Sequence, residues 1–131
     1  MSQENIEIVR RVYEVGTGDL GSALRDAHPN CEFTFKAGPN AGTYQGLEEA
    51  QAVLADLTAG FDAWITEPLE FLDSGDRVVA IIRNRLRPLG GTGGEFEYRN
   101  GHVWTIRDGM IVSFVGFPNP KEALDAVGMA E

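Results

Sequence analysis

Residues 96–117 constrain the fold more than any other stretch of this chain. Two β-rich runs flank Arg107-Asp108-Gly109. Asp and Gly tolerate the positive φ that a primed two-residue turn demands, so Asp-Gly between alternating runs predicts a β-hairpin. The first run divides by period two. Phe96, Tyr98, Asn100, His102, Trp104 and Ile106 share one face; Glu97, Arg99, Gly101, Val103, Thr105 and Arg107 share the other. The first face is aromatic and apolar, yet it carries a phenol, an amide and an imidazole. A plain core face avoids these groups. A pocket wall requires the mixture, apolar surface with a few directed polar groups.

The chain has 131 residues and reads as a single domain, 1–131, long enough to bury about two-thirds of its unfolded surface. A formal net charge of -9 argues against nucleic acid or an anionic membrane as partner, because both favour basic surfaces. Cys31 is the only cysteine, which excludes an intrachain disulfide and a thiolate metal cluster. The polar, acidic start Met-Ser-Gln-Glu-Asn lacks the basic and apolar regions of a signal peptide, and no apolar run approaches a membrane span. A cytoplasmic protein is expected.

Helical spacing over 3–15 places Ile6, Val9, Val12 and Tyr13 together, with Ser2 as cap. Asp19 is expected to cap a short second helix, 20–27, ended by His28-Pro29-Asn30 because the residue before proline disfavours the α region. Glu32 to Phe35 alternates like a strand, and a Gly/Pro/Asn loop follows at 38–43. A third helix is predicted over 47–60 with Leu47, Ala50, Val53, Leu54 and Leu57 buried. Trp64–Leu72 reads as a strand broken at Pro68, and Arg77–Arg87 as the strongest strand. A glycine-rich hairpin loop covers 88–94, and a short terminal helix 120–128. Helices first and strands afterwards indicate an α+β fold.

The order and spacing of several short pieces identify a resemblance. They are Ile8-Val9-Arg10-Arg11-Val12-Tyr13, Gly18-Asp19-Leu20, His28-Pro29-Asn30, Tyr44-Gln45-Gly46, the Asp73–Val79 turn and strand, and His102–Gly109. Together they resemble the nuclear-transport-factor-2-like superfamily, in its SnoaL-like, polyketide cyclase-like branch. The resemblance implies a cone, three N-terminal helices packed in a strongly curved antiparallel sheet whose open end is a pocket. The superfamily contains isomerases, cyclases, epoxide hydrolases, dehydratases and binders, so the fold alone assigns no activity.

Compared with its enzymes, the chain lacks complete sets of catalytic groups. The ketosteroid isomerases' first-strand aspartate aligns with Phe35, which cannot abstract a proton. Glu32 is out of phase with Phe33 and Phe35. The isomerases' second acid aligns with His102, and their helix-one tyrosine near Arg11 rather than Tyr13. No aspartate accompanies Arg83 and Arg85 in the way the epoxide hydrolases' Asp-Arg-Asp arrangement demands. The alignment turns Val79, Ile81, Arg83 and Arg85 inward. His102 and Arg83 are then the candidate catalytic pair, acid–base and anion stabiliser. Their structural alternatives are a neutral core imidazole and an arginine paired with Glu67 or Glu70.

The expected ligand site comprises Phe33, Phe35, Val53, Arg83, Tyr98, Asn100, His102 and Phe114. It suits a medium-sized hydrophobic molecule bearing a carbonyl or carboxylate. No cofactor and no metal site are expected: His28 and His102 lie far apart, and the glycines at 90–94 precede no helix and no lysine. Trp64 and Trp104 read first as core, Tyr13 as a helix residue facing the sheet. Three function classes fit these residues: a small-molecule binder, a cyclase-, isomerase- or hydratase-type enzyme using His102, and a protein-interaction module using the outer sheet face. A homodimer through that face is expected, since Val78, Ile82, Leu86, Val103, Ile111, Val115 and Phe117 would otherwise face water.

Overall fold

A computed structural model describes residues 2–15, 23–91 and 93–129. Helix α1, Ser2–Val15, buries Ile8 and Val9 and sets Ile6, Val12 and Tyr13 against the same core. It docks on the sheet through rings: the Arg10 guanidinium lies 5.2 Å from the Phe71 ring centre, and Tyr13 meets Phe71 at 5.9 Å. Strands β1 (Ala27–Phe35) and β2 (Gly42–Gln45) form a hairpin that leads into α2, Gly46–Thr58. Strands β3 (Phe61–Ser74), β4 (Arg77–Pro88), β5 (Phe96–Arg107) and β6 (Met110–Phe117) follow, then α3, Pro120–Ala126.

The six strands lie in the order β2-β1-β6-β5-β4-β3, with β2 and β3 left as free edges. The β5–β6 turn has the expected positive φ at both central residues, 53° at Asp108 and 77° at Gly109. This is the α+β cone expected from the sequence. One pair differs from the antiparallel expectation: β1 runs parallel to β6, Phe33 beside Phe114 and Phe35 beside Gly116. β1 joins β6 from a distant part of the chain, so no hairpin dictates its direction.

Several local expectations need correction. The second helix was expected over 20–27; residues 16–22, including its Asp19 cap, lie outside the described residues. Residues 24–26 are a turn and β1 already begins at Ala27. His28-Pro29-Asn30 therefore opens a strand rather than ending a helix. The Asn30 amide donates to His28 Nδ1 at 3.0 Å, within the stretch between Ala27 and Glu32 where the pairing with β6 shifts register. Pro68 does not break β3, because β3 is an edge strand that absorbs it with a register shift between Pro68 and Glu70.

The phase of β4 is opposite to the aligned one. Val78 pairs with Trp104, Ala80 with His102, Ile82 with Asn100, Asn84 with Tyr98 and Leu86 with Phe96, so the even positions face the interior. Arg83 sits opposite Arg99 on the outer face. The reason is charge: one face of β4 carries four arginines, Arg77, Arg83, Arg85 and Arg87, and the other none, and the uncharged face is the one that can be buried. Val78, Ile82, Leu86 and Ile111 are thus interior residues, at most 2 % exposed, and not an outer patch. The outer residues Val79, Ile81 and Val103 form a second core under α3 with Ala123 and Val127.

Candidate functional site

The inner face of the sheet, α1 and α2 enclose a cavity of about 790 Å³, within the range of small-molecule sites. β1 and β6 supply Phe33, Phe35 and Phe114. Their rings stack as a layer, Phe114 lying 6.1 Å from Phe33, 5.7 Å from Phe35 and 4.7 Å from Trp104. Gly116 makes room for this layer; a Cβ there would come within 3.3 Å of the Phe114 ring. α2 contributes Ala50, Leu54 and Leu57, and Trp64 and Phe96 stand on the β3 and β5 walls. Six of the expected residues line this space: Phe33, Phe35, Tyr98, Asn100, His102 and Phe114.

Two expected residues do not. Val53 is buried on the other side of α2, away from the lumen. Arg83 lies outside the sheet, where its Nη2 and Nε donate to Glu67 Oε1 at 2.6 and 3.1 Å. The Arg83 guanidinium, hydrogen-bonded and close, holds the Glu67 carboxyl below its ordinary range. No lysine or arginine is among the described residues of the lining; its one carboxylate, the exposed Asp56, accepts from Asn40 Nδ2 at 3.0 Å. Among the described residues no group of His, Cys, Asp and Glu could hold a metal ion, and no helix is long and apolar enough to cross a membrane.

The polar groups of the lumen form two chains. In the first, Trp104 Nε1 donates to the Tyr13 hydroxyl at 2.8 Å, and that hydroxyl lies 2.7 Å from His102 Nδ1. Burial lowers the His102 pKa to about 3 and pushes the Tyr13 phenol far up, so both are neutral at pH 7. His102 is thus the neutral imidazole that the sequence offered as the alternative to an acid–base role. Tyr13, not Arg11, is the helix-one residue that meets His102; Arg11 Nη2 instead donates to Asp26 at 2.9 Å.

The second chain centres on Asn84, only 2 % exposed. Its Oδ1 accepts from Trp64 Nε1 at 3.2 Å and Thr66 Oγ1 at 3.3 Å, and its Nδ2 donates to Asn100 Oδ1 at 3.0 Å. This bond turns the Asn100 amide so that its Nδ2 is left without a partner among the described residues. Sequence reasoning missed Asn84 and Thr66 and read Tyr13 and Trp104 as packing. The available signal for Asn84 was a lone amide on an otherwise apolar strand face.

Comparison with known proteins agrees with this architecture. A family model described as a SnoaL-like domain matches residues 9–114. No curated protein matches. An NTF2-like protein from Burkholderia thailandensis is 30% identical over 86% of this chain and 88% of its own, with a TM-score of 0.74. An NTF2-like protein of unknown function from Burkholderia pseudomallei is 24% identical, covering 95% of this chain and 98% of that one, with a TM-score of 0.76. A protein from a Jannaschia species assigned as a SnoaL-like polyketide cyclase is 22% identical, covering 99% and 94%, also at 0.76.

Proposed function

We propose, for a chain that belongs to the SnoaL-like domain family, that it holds an apolar small molecule inside its cone. One observation carries this reading: about 790 Å³ of space lies among aromatic and aliphatic side chains that a close-packed interior would bring together. Phe33, Phe35, Trp104 and Phe114 could fill a core. They pack on one another along one wall, and the faces they turn to the lumen leave apolar surface for a ligand to cover. The missing inward arginine shifts the expected ligand away from a carboxylate. Among the described residues the lumen also offers no acidic base apart from Asp56, which favours binding over proton-abstraction chemistry.

The neutral fluorescent probe N-phenyl-1-naphthylamine tests the reading. Its emission rises on transfer to an apolar site, and Trp64 and Trp104 in the wall report the same event by quenching. A saturable rise is expected with the wild type. Leu57→Trp, which fills the lumen from α2, is expected to weaken probe binding about tenfold or more. An unchanged emission in wild type, or equal binding by a Leu57→Trp variant with native circular dichroism, removes the cavity as the site.

A further inference from the structure

We propose that Tyr13 is a positioning residue that holds His102 in its Nε2–H form, so that the cone takes a neutral ligand through hydrogen-bond acceptors. The proposal rests on the cone being a ligand site and names the chemistry of what enters it.

The inference follows from counting protons. An indole Nε1 can only donate, so the 2.8 Å bond from Trp104 makes the Tyr13 oxygen an acceptor. The phenol then has one proton of its own to place. Its only other polar neighbour among the described residues is His102 Nδ1 at 2.7 Å. If His102 carried its proton on Nδ1, two donors would meet at the Tyr13 oxygen and the phenol proton would be stranded in an aromatic pocket. A buried donor left without a partner carries its full desolvation cost. With the proton on Nε2, every group is satisfied: Trp104 donates to Tyr13, and Tyr13 donates to His102 Nδ1. Ring contacts keep the imidazole in place. Its plane is nearly parallel to the Tyr13 ring, at 12°, and the Phe114 ring stands at 67° to it at 4.9 Å.

His102 lines the cavity, and its Nε2 has no partner among the described residues. The lumen therefore meets a neutral N–H donor. Two residues along the same face of β5, Asn100 presents a second unpartnered donor, its Nδ2, oriented by the Asn84 bond. Neither donor is charged, and no lysine or arginine among the described residues lines the wall to compensate an anion. A buried carboxylate there would lack a counter-charge. An ammonium would find no acceptor on His102, since Nδ1 is already engaged. A ketone, quinone or ester oxygen satisfies one or both donors without a charge to bury.

Two measurements test this. Nitrogen-15 NMR of histidine-labelled protein at pH 7, with His28→Gln to assign the second imidazole, reads the tautomer directly. His102 is expected with Nε2 protonated and Nδ1 bare in the wild type, and as a tautomer mixture in Tyr13→Phe. Protonated Nδ1 in the wild type overturns the proposal with no variant needed. Displacement of N-phenyl-1-naphthylamine by three naphthalenes then reads selection. 2-Acetylnaphthalene is expected to bind about three- to tenfold tighter than 2-ethylnaphthalene, and 2-naphthoate more weakly than the ketone. In Tyr13→Phe the ketone should lose its advantage while the hydrocarbon binds as before. Equal binding of ketone and hydrocarbon to the wild type overturns the donor role alone. Displacement by none of the three overturns the cone as a ligand site, and the donor role with it.

Discussion

Asn84 is the side chain on which the β3, β4 and β5 walls of the cavity depend together. It accepts from Trp64 and Thr66 and donates to Asn100, and it has almost no access to bulk water. Asn84→Ala removes one amide and strands up to three partners. Urea unfolding is expected to show a loss of about 1–3 kcal/mol. His102 makes the protein sensitive to acid. Its pKa falls from 6.5 in the unfolded chain to about 3 in the folded one, so the unfolded state takes up the proton first. The stabilisation is complete above pH 6.5 and drains away as pH falls toward 3. At pH 5 the loss amounts to about 2 kcal/mol. Chemical denaturation across this window should show it, and His102→Gln should flatten the same curve.

At the scale of elements, α3 decides what the outer face of the sheet presents. Asn119 caps it, accepting from the Glu122 amide at 2.9 Å while its Nδ2 donates back to the Glu122 carboxylate, and Pro120 opens the first turn. The helix lies so close to β5 that a side chain at Gly101 would collide with the Ala123 Cβ. Gly101→Val is therefore expected to lift α3 off Val79, Ile81 and Val103. Hydrogen exchange should show faster exchange in 120–127, with the β3–β4 amides unchanged. Asn119→Ala should cost about 1 kcal/mol by the loss of the cap alone. The hairpin 96–117 and its inward face were legible before any coordinates, because turn chemistry and period-two alternation are local. The β4 phase was legible too, in the four arginines of one face and the uncharged, mostly apolar run of the other. The family alignment pointed the wrong way.

For the whole molecule, α3 alters the argument for self-association. Val78, Ile82, Leu86 and Ile111 are interior, and α3 covers Val103. Phe117 packs against the same core under α3, so a homodimer through the outer face would have to form on what remains, Val115 among it. Light scattering at tens of micromolar checks it, a dimer mass supporting that surface and a monomer mass removing it. The sequence by itself determined the α+β class, the β5 face with Tyr98, Asn100 and His102, and the Asp108-Gly109 turn, since each rests on near neighbours in the chain; the cone came with the family resemblance. The tertiary structure alone decided that β1 runs parallel to β6 and that Glu67, rather than Glu70, is the carboxylate paired with Arg83. It also decided that the Tyr13 hydroxyl, 89 positions away in the chain, lies 2.7 Å from His102 Nδ1. These depend on which distant segments meet, and no local periodicity records that.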